Sequence, residues 1–118
     1  MDRKRTARIS EEIKKVIASS ILNDLKDPRI ANLTSVTNVE LSNDGSYCKI
    51  YISVMGNEEE KANTIEGLNN AKGFLKRQIS KNIDLRIIPD LNIIQDESIE
   101  ESMNLFKLID EVNEKNDE

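Results

Sequence analysis

Histidine is absent from this 118-residue sequence, cysteine and the aromatics are scarce, and no long apolar run occurs. Without histidine there is neither imidazole acid–base chemistry nor a His-ligated metal. The single cysteine, Cys48, forms no internal disulfide and cannot build a Cys-rich zinc site, which makes the cytoplasm the default location. No apolar stretch approaches the roughly 20 residues that span a bilayer, so no membrane partner is expected. The basic start Met1-Asp2-Arg3-Lys4-Arg5 leads into a polar amphipathic stretch, unlike a secretory signal. The four glycines (Gly45, Gly56, Gly67, Gly73) are scattered, so no glycine-rich phosphate loop is present. The carboxylates fall in exposed-looking runs, and nothing places two in one cleft. An enzyme is not indicated, and no cofactor, metal or small-molecule substrate is expected.

What is present is charge, at 33%, and enough Ile, Leu and Val for a modest single-domain core. The net charge of −5 conceals an uneven distribution. Residues 96–118 carry nine acids and two lysines, net −7, which leaves +2 on the other 95 residues. Residues 1–30 and 61–90 are each net +3. Binding responds to the local field, which decays over roughly 8–10 Å in physiological salt. The balance therefore permits an RNA partner without demanding one.

Ile9, Ile13, Val16, Ile17, Ile21 and Leu25 recur at spacings of three and four, predicting a first helix from about Thr6 to Leu25 that Asp27-Pro28 stops. Two alternating segments, Thr37–Leu41 and Cys48–Val54, predict strands joined by a hairpin in which Asp44-Gly45 supplies the positive-φ positions. Cys48 falls on the inward face; Tyr47 and Tyr51 fall outward, where packing or partial exposure is favoured over base stacking. Asn57 to Glu60 offers a cap and an acidic first turn for a second helix with Ala62, Ile65, Leu68 and Ala71 on one face. At Gly73 the phase changes, and Phe74, Leu75, Ile79 and Ile83 begin a third helix, so a kink or close approach is expected there. Leu85, Ile87, Pro89, Leu91 and Ile93 alternate as a third strand, with Pro89 at a bulge or facing away from the ladder. Ser98 to Val112 reads as a last helix, with Ser98 and Glu101 as a capping box, before a frayed end.

The order is helix, strand, strand, helix, kink, helix, strand, plus a C-terminal helix. It predicts an α+β fold: a three-stranded sheet with helices on one face, the element order of a type II KH domain. The expected division is a KH-like RNA-binding domain over 1–96 and an acidic helix and tail over 97–118.

Several segments resemble the ribosome-binding factor A family. They are Asp27-Pro28-Arg29, the first strand Thr34–Ser42 with Asp44, the second strand Lys49–Gly56, the helix pair Leu68–Lys76, Leu85-Arg86 with Pro89-Asp90-Leu91, and Asp96-Glu97-Ser98. Each piece alone is weak, but six in order are specific, and they run from about Arg3 to Phe106. In that family an Ala-x-Gly kink, here Ala71-Lys72-Gly73, replaces the GxxG loop with which KH domains clamp single strands. The resemblance implies a non-catalytic monomer that binds the free 30S subunit and its 16S rRNA. It further implies a role in late 30S maturation and 16S 5′-end processing, with importance in the cold.

Two basic sets are candidates for the RNA surface: Arg3, Lys4, Arg5 and Arg8 at the first helix, and Lys72, Lys76, Arg77 and Lys81 along the third. Type II topology is expected to bring them together, and they would bind phosphates electrostatically. Lys76 and Lys81 read equally well as solvating a helix face. Arg29 reads first as a turn residue paired with Asp27 or a nearby acid, and alternatively as an rRNA contact. Ala71 and Gly73 read as a structural kink. Two other functions stay open: a generic single-strand RNA-binding module, and a protein-interaction domain. The acidic tail is either a solubilising terminal helix or a segment that repels RNA.

Overall fold

The computed structural model describes residues 3–25, 27–30, 33–99 and 101–103. Six elements follow in order: α1 (Arg3–Asn23), β1 (Thr34–Leu41), β2 (Tyr47–Val54), α2 (Glu58–Asn70), α3 (Lys72–Asn82) and β3 (Asp90–Gln95). The sheet order is β1-β2-β3, with β2 antiparallel to β1 and parallel to β3. This is the α+β, KH-like arrangement that the element order predicts. The last helix lies largely outside the described residues; only its first turn is seen, where the Glu101 N–H donates to Glu97 O. There Asp96 Oδ1, not a Ser98–Glu101 box, accepts the Ser98 N–H at 2.9 Å.

The helix-facing side of the sheet presents Val39, Leu41, Cys48, Ile50, Ile52, Leu91 and Ile93, all buried. Against it α1 lays Ile9, Ile13 and Ile17, and α3 lays Leu75 and Ile79, with Ile83 just past its end. Fully burying such aliphatic side chains contributes about 1.5–3 kcal/mol each, which lets a core with almost no aromatics hold. One polar bond fastens α1 to the sheet: buried Ser10 Oγ donates to Thr6 O at 2.8 Å and accepts the Leu41 N–H at 3.1 Å.

The structure departs from the sequence pattern at several points. Helix α1 begins at Arg3, three residues before the expected Thr6, and ends at Asn23. In the hairpin only Gly45 has positive φ, at 75°. Asp44 works through its side chain instead, Oδ1 accepting from Ser42 Oγ, Ser46 Oγ and the Ser46 N–H.

The third strand starts at Asp90, not Leu85. Its first bond is Asp90 N–H to Ser46 O, so Pro89 stands just before the ladder, where its missing donor costs nothing. Of the two expectations for Pro89, a place off the ladder is what the structure shows, and the register shift lies in β1, between Val36 and Asn38. The skipped Thr37 turns its hydroxyl to Asp96 Oδ2 at 2.6 Å.

Helix α2 has the expected cap: Asn57 Oδ1 accepts the Glu60 N–H, while Glu60 Oε1 accepts the Asn57 N–H. Its buried face, however, is Lys61, Thr64, Gly67 and Leu68, whereas Ala62 is exposed. The helix is rotated because Gly67 admits the Asp27–Ile30 turn: a Cβ there would stand 3.0 Å from Ile30 Cγ1 and 3.5 Å from Arg29 Cβ. Thr64 Oγ1 joins the same contact, 3.3 Å from Arg29 O.

Candidate nucleic-acid interface

The junction of α2 and α3 is a single residue, Ala71, with φ −92° and ψ 5°. Its N–H is shared between Gly67 O and Leu68 O, and its own carbonyl accepts from Leu75 to begin the next helix. The break is therefore made by Ala71. Gly73 has neither positive φ nor a close neighbour, since a Cβ there would meet only Arg77 Nη1 at 3.9 Å. The close approach expected at Gly73 belongs to Gly67.

Arg29 sits beside this junction in a fixed pose. Its Nε and Nη2 donate to the Asp27 carboxylate, the latter at 2.6 Å, and Nη1 lies 3.6 Å from Glu66 Oε1. The Asn70 amide, with its oxygen toward Arg29, accepts from Nη1 at 2.9 Å and Nη2 at 3.2 Å. The hydrogen bonds from Arg29 hold the Asp27 carboxyl down at about 2. The turn-residue reading of Arg29 thus describes its contacts. Its guanidinium remains partly accessible, with 40% of the side chain exposed.

On α3, Lys76 Nζ bonds Asp90 Oδ1 at 2.7 Å, and this bond keeps the Asp90 carboxyl below its usual range, with a smaller contribution from Lys72. Lys72 and Lys76 therefore sit over the start of β3. Arg77 and Lys81 are exposed, and the Arg77 guanidinium reaches back toward Gly73.

Arg3, Lys4, Arg5 and Arg8 are exposed in the first turns of α1. That end of the helix meets the segment following α3. Arg5, Leu41, Asp44, Gly45, Leu85, Arg86 and Ile87 line one open cleft of about 530 Å³. Of the first basic set, Arg5 meets Arg86 in this cleft, whereas Lys72, Lys76, Arg77 and Lys81 run along α3 and none of them lines it. At 1.5 Å per residue, Lys72 and Lys81 are about 14 Å apart along α3. Arg86 did not stand out in the sequence, because an alternating Leu85–Ile87 reads as strand and an arginine there as its solvated side.

Cys48 is fully buried, and burial pushes its thiol up to about 12, so it is a core side chain and no nucleophile at neutral pH. Among the described residues, no helix is long and apolar enough to cross a membrane.

Comparison with known proteins decides the family. The profile of ribosome-binding factor A matches residues 5–109. The chain belongs to the ribosome-binding factor A family. A Finegoldia magna ribosome-binding factor A is 55% identical over 117 residues, covering 98% of this chain and 97% of the relative. The solution NMR structure of a Thermotoga maritima protein shares the fold with a TM-score of 0.70 at 36% identity, covering 81% of this chain and 91% of that one. A homology model of the Thermus thermophilus ribosome-binding factor A, fitted into a cryo-EM map of a 30S complex, superposes with a TM-score of 0.64 at 26% identity, covering 78% and 96%.

Proposed function

We propose that this protein is a non-catalytic, cytoplasmic assembly factor that acts as a monomer on the free 30S subunit. It contacts 16S rRNA and assists late maturation, including processing of the RNA's 5′ end, a service most needed in the cold. The observation that carries the reading is the set of cations along the start of α1 and along α3 on a ribosome-binding factor A fold, together with the 30S complex of the Thermus relative. Arg3, Lys4, Arg5, Arg8, Lys72, Arg77 and Lys81 supply cations toward phosphate oxygens. Arg29 and Lys76, held by Asp27 and Asp90, act chiefly by fixing the DPR turn and the start of β3 against the helices. The RNA surface lies within residues 1–96, and the acidic segment 97–118 stands outside it.

Gradient sedimentation of a lysate tests this. The protein travels with free small subunits and is absent from joined ribosomes; equal distribution over both, or migration with neither, overturns the proposal.

A further inference from the structure

We propose that the cleft between the start of α1, the β1–β2 hairpin and the α3–β3 connection seats one unpaired nucleotide of RNA. The inference rests on the RNA reading above and assigns it a specific pocket. The cleft is of the size that takes small molecules, about 300–1,000 Å³. Its chemistry is divided. Arg5 and Arg86 contribute two guanidiniums, whose planar forks match phosphate geometry. Leu41 and Leu85 form an apolar wall, and Ile87 stands beside them 54% exposed.

Asp44 supplies the opposite charge at the hairpin. Three hydrogen bonds to its Oδ1 lock the carboxylate in place and keep it ionised down to about pH 2. A phosphate is repelled from that end and drawn to the arginines. A base is accepted there through an N–H, which all four RNA bases carry on their pairing edge. The polarity of the cleft is therefore phosphate toward Arg5 and Arg86, base over Leu85 and Ile87, and base edge toward Asp44. RNA recognition commonly proceeds through unstacked bases stacked on aromatic rings or guanidinium planes; here no aromatic among the described residues lines the cleft, and Arg5 and Arg86 supply the planes beside the aliphatic wall. Arg86 and Ile87 are exposed side chains outside every helix and strand, so both can be changed without touching the core.

The test uses the full chain bound to free small subunits, with chemical probing of base-edge reactivity along the 16S rRNA, comparing wild type with Ile87→Asp and Arg86→Gln. Wild type alters the reactivity of one discrete unpaired nucleotide. Each variant restores that reactivity, leaves the other protections in place, and weakens affinity about tenfold or more, the scale of losing one seated base. Circular dichroism and melting remain those of the wild type. If both variants bind and protect as wild type does, the cleft is not a nucleotide seat, although the proposed function stands. If affinity falls with no nucleotide changing, a protein segment occupies the cleft and the inference fails. If wild type does not bind small subunits at all, the functional reading itself is wrong.

Discussion

Replacing Ser10 by alanine isolates the bond that fastens α1 to the sheet. The hydroxyl donates to Thr6 O and accepts the Leu41 N–H in a buried setting. Its loss matters little to the Thr6 carbonyl, which lies within the helix and keeps its main-chain partner. The Leu41 N–H loses its acceptor, and an unsatisfied buried donor costs about 1–3 kcal/mol. Alanine returns about 0.5 kcal/mol through its better helix propensity. The net loss is about 1.5 kcal/mol. An unfolding entropy of about 2.1 cal/mol/K per residue over 118 residues makes 1 kcal/mol worth about 4 °C, so the melting temperature falls by about 6 °C. Thermal melting followed by circular dichroism reads this directly. Ser19→Ala, on the exposed side of the same helix, changes stability by no more than about 0.5 kcal/mol and controls for propensity. If Ser10→Ala melts at or above the wild-type temperature, the bond does not hold the helix and the reasoning fails.

The two helix glycines should respond oppositely. Gly73→Ala, with only the Arg77 guanidinium near, raises stability by up to about 1 kcal/mol, whereas Gly67→Val pushes into Ile30 and the Arg29 turn and lowers it by about 1–3 kcal/mol in urea titrations. Acid weakens the fold in a defined window. Asp27, Asp44, Asp90 and Asp96 all have folded carboxyls held below the unfolded value of about 3.9 by their hydrogen-bond partners. Their contribution is complete above about pH 4 and is lost as pH falls through the folded values, which for Asp27 and Asp44 are about 2. Melting temperatures measured from pH 5 down to pH 2 should decline across that interval, and less steeply for Asp44→Asn.

The architecture was legible because each element carries a strong local signal: the three- and four-residue spacing from Ile9 to Ile17, the alternation in Cys48–Val54, and the Asn57–Glu60 cap. What escaped depends on contacts between distant segments. Lys61 and Thr64 are buried instead of Ala62 because Gly67 lets the Asp27–Ile30 turn press onto α2, and no helical periodicity reports that neighbour. Alternation places the start of the strand at Leu85 because it does not show which residues find a ladder partner; Asp90 does, through Ser46. Among the site residues, Arg29's bond to Asp27 was readable from their spacing. The Lys76–Asp90 bond and the meeting of Arg5 with Arg86 were not, since each spans segments that only the folded chain brings together.

The central claim, that the cations of α1 and α3 bind the small subunit, is tested most directly by charge reversal. The quadruple variant Arg3→Glu, Arg5→Glu, Lys72→Glu and Arg77→Glu changes only partly or fully exposed side chains. It should keep the wild-type circular dichroism spectrum and lose cosedimentation with free small subunits at about 0.15 M salt, where wild type still binds. A folded variant that cosediments as wild type does would contradict the account.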